Sequence, residues 1–572
     1  LGGAAVVLPL IVFLAYFSRF REFGFYGDDA SFFARAIIEG WANQWAYLGH
    51  VLVAWPQGRP LGYGLALGLV PHAAFAIGGL AGLHFISFVI QATNVVVLYR
   101  LIARFFPAWV AFCAGAFLGL SPVDTVKESL AYGYCFQLAI LAALVATHAA
   151  LDKKTWLFVL MLATALMTME PVIMIPLALP LVFTFRPGRE WIRAATRHAA
   201  IWLLVLIVVL ICRAVGNTHE DDGRVGQMLS SPLLTLQRAA TTAFTGPRTQ
   251  LELWWHRLLQ PLHELDGQLV LLMATVLLLS SVAFYRQVKA GRFPSDRGSS
   301  SPSTALSPSK LIVAGILLLL ATYACYFRAP WYPGTSRHGF LSGVHVIPAV
   351  GAALALSGLF HLLANLATPP LRGVVLAVSA MFITLLAGFG NLVQRDYATS
   401  WQFQQEFWKA YSVLCTDASD RTFVLVLDHN LPRLRYVEPS SWCTEVLPGA
   451  LYYYRTEPNM GRGNAISRIQ AGPGSWVQVP PSVIFTAPDL VTTIKYANGA
   501  YAWKPSPYYL LKKTAEEQPR SGNVIVLSFE DGRWSRYSGN APVDGGYLRL
   551  RDPGANLLEK IPKTPLAGVF GL

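Results

Sequence analysis

Two adjacent carboxylates, Asp28 and Asp29, stand in the stretch Phe25-Tyr26-Gly27-Asp28-Asp29, a few residues after the first apolar run. Such a pair beside a membrane carries a large electrostatic cost if buried, unless water, a cation or a metal compensates it. A carboxylate in a partly dry site can act as a general base. Its neighbour can hold the substrate or share a divalent cation, Mg or Mn, that neutralises a leaving phosphate. The same residues, as Asp-Asp-Ala-Ser ahead of Phe-Phe-Ala-Arg, also read as a helix N-terminal cap. Arg59 lies just before Pro60, where its guanidinium offers a bidentate fork to a phosphate or simply touches lipid head groups. Glu170, in Thr168-Met169-Glu170-Pro171, interrupts two apolar runs. A carboxylate at mid-span costs roughly 3 kcal/mol on the insertion scale, so it should face a cavity or pair with a cation. Asp124, Lys127 and Glu128 fall in a mixed-charge stretch, Ser121 to Glu128, that reads as a solvated loop between spans. Arg337 and His338 precede an apolar run from Gly339 to Leu359. At a helix N-terminus they would form an anion site with the free N–H groups; an arginine anchored to lipid phosphate is the alternative.

These residues need a membrane scaffold to position them. Of 572 residues, 54% are hydrophobic and 13% charged, against roughly 25% charged in soluble proteins. The apolar residues come in blocks near 20 long, which predicts bilayer spans. The net charge of +13 lies largely in short loops between those blocks, so it reads as an orientation signal and not as a nucleic-acid surface. The chain opens on Leu1, so its start is expected to lie upstream. The first block, Ala4 to Phe20, lacks a small-residue cleavage site and predicts an anchor.

After it, residues 21–82 form a first outer loop with too many polar interruptions to span up to Gly58, and with Trp41, Trp45 and Trp55 suited to the head-group level. Later blocks run roughly 83–102, 107–120, 134–151, 155–170, 171–185, 199–216, 267–284, 310–327, 339–359 and 371–391. With 61–80 interfacial or re-entrant, the inside loops hold Arg100/Arg104, Lys153/Lys154, Arg186/Arg189/Arg193/Arg197 and Arg286/Lys289/Arg292/Arg297. The outside loops then hold Asp28/Asp29, Asp124/Glu128, Glu220/Asp221/Asp222 and Arg337. Making 61–80 a span breaks the positive-inside rule at all four basic loops. The expectation is a mainly α, polytopic bundle of about eleven spans over residues 1–394.

Leu251 to Leu262, with Trp254, Trp255 and His256, predicts an amphipathic helix lying on the membrane surface, with a lid over a cavity as the alternative. Pro294 to Pro308 reads as a flexible linker. Residues 395–572 read as an exoplasmic α+β domain: Trp401 to Tyr411 is helix-like, Thr422 to Leu427 and Asn523 to Phe529 are strand-like, and Asp531-Gly532 marks a turn. Cys113, Cys135, Cys212 and Cys325 lie in or beside apolar blocks, whereas Cys415 and Cys443 can pair if that domain is exoplasmic.

The order of these signals resembles the GT-C superfamily of polytopic glycosyltransferases, which includes protein O-mannosyltransferases and lipid A aminoarabinose transferases. The resemblance covers residues 1–395. It rests on Asp28-Asp29 after the first span, Arg59-Pro60-Leu61 in the same loop, and Leu120-Ser121-Pro122 through Glu128. It continues with Met169-Glu170 and Ser336-Arg337-His338-Gly339. Met169 stands where the family carries Lys, and His338 where it carries Tyr. The resemblance implies sugar transfer from a polyprenyl-phosphate donor to a glycan, lipid or protein acceptor on the exoplasmic face of the inner or plasma membrane. It makes Asp28 the base, Asp29 an orienting or metal-binding group, and Arg59, Arg337 and His338 the donor-phosphate site. Glu170, Glu128, Asp124 and Lys127 would line the pocket. A transporter or flippase of lipid-linked glycans is the competing class, but the internal duplication usual in transporters is not visible in the sequence.

Overall fold

In the computed structural model of the protein, the apolar blocks of the sequence form helices. The structure describes residues 2–186, 188–216, 231–289, 306–328, 334–337 and 339–418. Within the C-terminal part it describes 422–427, 434–437, 447, 451–452, 482–486, 495–497, 500–502, 522, 524–538, 540–543, 546–554, 556 and 563–572. Seven helices among these are long and apolar enough to cross a membrane: Gly3–Glu22, Gly62–Ile102, Tyr132–Leu151, Arg189–Gly216, Gly267–Gln287, Pro348–Leu366 and Pro370–Leu414. Shorter apolar helices cover Ala108–Gly119, Thr155–Thr168, Glu170–Phe183 and Pro308–Ala324. Each apolar block of the sequence therefore falls on a helix. The stretch 61–80 is helical too, but it runs into 83–102 through a break at Gly78 (φ −150°) and Gly79 (φ 58°).

Contacts divide the chain into two compact units, residues 1–23 with 44–397, and residues 24–43 with 398–572. The segment carrying the Asp pair thus belongs with the C-terminal unit, not with the helices that flank it in sequence.

In the first unit Pro308–Ala324 packs closely on Pro348–Leu366. A Cβ added at Gly315 would lie 2.6 Å from the Gly351 carbonyl, and one added at Gly351 would lie 2.7 Å from the Gly315 carbonyl. Missing side chains let the backbones approach, the usual device where lipid supplies no hydrophobic drive. The helix expected at 251–262 is longer, Pro232–Leu258, and it is not a plain surface helix. Gly246, Thr249, Gln250, Leu253, Trp254 and Arg257 are its buried stripe, at the three-and-four spacing of a packed face. Trp254 stacks on Phe382 with centroids 5.7 Å apart, while Trp255 remains 68% exposed.

In the second unit, strand β1 (Phe423–Leu427) pairs parallel with β2 (Ser482–Thr486) and with β5 (Val524–Glu530), and β5 turns back antiparallel on β6 (Arg533–Arg536). Two-stranded ribbons join β3 (Lys495–Ala497) to β4 (Ala500–Ala502), and β7 (Asn540–Val543) to β8 (Gly546–Arg549). Asp531 (φ 48°) and Gly532 (φ 75°) make the β5–β6 connection, both left-handed as a tight two-residue hairpin demands. Asp417 anchors the end of the preceding helix to the sheet through Arg536 (2.5 and 3.1 Å) and Arg551 (3.2 Å). The expected linker at 294–308 lies largely outside the described residues, as do Glu220, Asp221, Asp222 and Cys443.

Candidate functional site

The Asp pair is built by a turn. The Asp29 N–H donates to the Tyr26 carbonyl at 2.9 Å, with Gly27 at φ 53° and Asp28 at φ −87°, ψ 2° between them. A positive φ at the first central position suits glycine. Asp29 is fully buried, and its Oδ2 accepts the Tyr26 N–H at 3.0 Å, which ties the turn shut. The helix Asp29–Ile38 then starts with Asp28 at the N-cap position, yet the Asp28 side chain makes no capping hydrogen bond. The capping reading of the pair thus fails for that carboxylate. Asp28 is half-buried, and desolvation pushes its carboxyl up to about 6. One turn therefore gives the two acids different roles: Asp29 holds the backbone, and Asp28 is poised to exchange a proton near neutrality. Around them, Phe25 packs edge-on to Trp401 at 6.0 Å and against Phe570 at 6.0 Å. Gly27→Ala should cost about 1–2 kcal/mol through its left-handed φ, read as a lower unfolding midpoint. An unchanged midpoint would mean that the turn relaxes freely.

In the other unit, Glu170 does pair with cations, and with two of them. Arg59 reaches Glu170 Oε2 from Nε at 3.0 Å and from Nη2 at 2.8 Å. Arg213 Nη1 donates to Glu170 Oε1 at 2.7 Å. The carboxylate sits between two guanidinium forks, and the cluster keeps one net positive charge. Arg59 is presented by an unusual approach: Trp55 and Gln57 both have φ of 48°, Gly58 has φ of 71°, and the helix resumes at Pro60. Arg213 is the member that the sequence reading missed. Its signal was present, since an arginine in the apolar run 199–216 is the same kind of intramembrane charge as Glu170.

The stretch Ser121 to Glu128 is not a solvated loop: all of it is buried. Lys127 explains why it can be. Its ammonium binds Asp124 Oδ1 at 2.7 Å and the Ser121 carbonyl at 2.8 Å, and lies 4.8 Å from the centre of the Tyr16 ring. Arg257, from the buried stripe of the 232–258 helix, donates to the Pro122, Val123 and Arg337 carbonyls. Glu128 differs from its neighbours. Both of its carboxyl oxygens are buried without a hydrogen-bond partner, and desolvation holds its carboxyl well above the usual range.

Arg337 is exposed and its Nη2 bonds Glu252 Oε2 at 2.7 Å. It does not sit at the N-terminus of the long helix: a 3-10 turn, Phe340–His345, follows, and the α-helix begins only at Pro348, where the proline ring is preset for a first helical position. His338 lies outside the described residues. The structure thus joins Arg59 to Glu170, joins Asp124 to Lys127, and bridges the 121–128 stretch to the Arg337 backbone through Arg257. Comparison with protein-family models, curated proteins and solved structures finds no match.

Proposed function

We propose that this multi-pass membrane protein is a glycosyltransferase of GT-C type, with about eleven spans, that moves a sugar from a polyprenyl-phosphate donor to an acceptor on the exoplasmic face of the inner or plasma membrane. The observation that carries the reading is the Asp28 carboxyl, lifted to about 6 by desolvation on a turn that its neighbour Asp29 locks. A base with that affinity accepts a hydroxyl or amine proton as the anomeric carbon is attacked, and returns it to water at neutral pH. The bond between the anomeric carbon and the acceptor atom forms as the bond to the lipid phosphate breaks. The phosphate departs as an anion, and a guanidinium such as Arg59 suits it. Among the described residues no three His, Cys, Asp or Glu side chains gather as a metal site. If a divalent cation takes part, the Asp pair would hold it, and it would neutralise charge on the leaving phosphate.

The competing reading, a lipid-glycan transporter, draws on the helix break at Gly78–Gly79, since broken helices mark transporter sites. Proteoliposomes given radiolabelled polyprenyl-phosphate sugars separate the two. Label passing into a product with wild type, and not with Asp28→Asn, is the result expected of a transferase. Labelled lipid that crosses the bilayer unconsumed would overturn it in favour of transport.

A further inference from the structure

A cavity of about 490 Å³ that none of the candidate site residues lines is walled by Leu177, Leu181 and Val182 of one helix and Val313 and Leu317 of another. That volume lies within the roughly 300–1,000 Å³ of small-molecule sites. The spacing explains the slot: Leu177 and Leu181 stand one turn apart on Met174–Phe183, and Val313 and Leu317 one turn apart on Pro308–Ala324. Both helices are among the apolar ones, so the surroundings that reach an apolar slot on them are lipid chains. Val313 (48%) and Leu317 (49%) are exposed to those surroundings.

One end of the slot is polar and cationic. Lys310, Trp191, Phe185 and Ser309 line that end. Lys310 Nζ donates to the Phe185 carbonyl at 2.9 Å and lies 5.8 Å from the centre of the Phe185 ring, which holds the ammonium at the rim with donors to spare. Trp191 packs edge-on to Phe185 at 4.8 Å, and its indole N–H is buried without a hydrogen-bond partner. Exposed Arg186, Arg189 and Arg193 lie beside these residues in the sequence.

We propose that this slot binds an anionic glycerophospholipid, with an acyl chain between the two helices and the head-group phosphate against Lys310 and the Trp191 N–H. The charge selects the lipid. A zwitterionic head group carries its own cation and leaves Lys310 and three arginines uncompensated, whereas basic pockets between membrane helices hold anionic head groups. The site is independent of the Asp pair and of the proposed transfer.

The test uses the full chain in detergent. Thermal unfolding is followed with added dioleoyl phosphatidylglycerol, dioleoyl phosphatidylcholine or inorganic phosphate, and retained lipid is counted by native mass spectrometry. Phosphatidylglycerol alone should raise the unfolding midpoint. Lys310→Gln should weaken its binding about fivefold, and Val313→Trp, which fills the slot, should abolish the shift. Equal shifts from phosphatidylcholine, or a phosphatidylglycerol shift that survives both substitutions, would overturn the proposal. A shift from inorganic phosphate alone would replace the lipid with a simple anion. If Val313→Trp does not fold, the lipid count on Lys310→Gln decides: undiminished retention of phosphatidylglycerol sinks the site.

Discussion

Asp28→Asn is expected to lower sugar transfer by ~10²–10⁴-fold, the usual contribution of a positioned general base, while leaving the protein folded. Asparagine keeps the shape of the side chain and its place ahead of the 29–38 helix, but it cannot take a proton. The accompanying pH dependence is as informative as the loss. Because the wild-type carboxyl lies at about 6, transfer should rise with pH around that midpoint, as the base loses its proton, and level off above it.

Stability should move the other way. In the unfolded chain Asp28 ionises near its ordinary value of 3.8, whereas in the folded protein desolvation delays ionisation to about 6. Between those values the unfolded state has already given up the proton that the folded state keeps, so folding weakens as pH rises from about 4 to 6 and stays weaker above. Asparagine has no charge to desolvate. The variant should therefore gain on the order of 3 kcal/mol over wild type at pH 8 and lose that advantage at pH 4. A dead enzyme that is more stable at pH 8 is the signature of a base held in an unfavourable place for its reaction. A dead variant that is also less stable would make Asp28 a structural residue, and wild-type turnover would remove it from the mechanism.

Much of the architecture was legible because hydrophobic length is a strong signal. Helical blocks near 20 residues, the strands at 423–427 and 524–530, and the Asp531-Gly532 turn all follow from local pattern alone. What local pattern does not carry is partnership over long separations. Lys127 and Asp124 look like solvent-facing charges in a short loop. Only the fold supplies the Ser121 carbonyl, the Tyr16 ring and the reach of Arg257 that let the stretch be buried. Residues 24–43 likewise read as part of the membrane region from their place between apolar blocks. Phe25 instead packs with Trp401 and Phe570, more than 370 residues away. Glu170 was legible as a charge needing a partner, and Arg59 as a charge needing an anion, but not that they meet. Arg213 carried the same signal as Glu170, a charge in an apolar run, but its place near the end of that run also suits a snorkelling terminus.

That cluster gives the second large effect. Glu170→Gln should destabilise the protein by about 1–3 kcal/mol, less than breaking a fully buried ion pair because the cluster is only part-buried, as two guanidiniums lose their shared carboxylate. Arg213 feels this most, since its side chain is only 11% exposed against 32% for Arg59. The double variant Glu170→Met/Arg213→Met should recover most of the loss, since apolar replacement of a buried pair is often neutral. A single variant within experimental error of wild type would mean that solvent already screens the cluster. The same substitution also probes binding. In the folded protein Glu170 bonds both guanidiniums, so under the proposed function a donor phosphate would compete with it for Arg59. Freeing the fork should lower the donor KM in Glu170→Gln even as stability falls, while Arg59→Ala should raise it. If both variants raise KM alike, the carboxylate positions the arginine rather than competing for it, and the phosphate meets Arg59 with its bond to Glu170 intact.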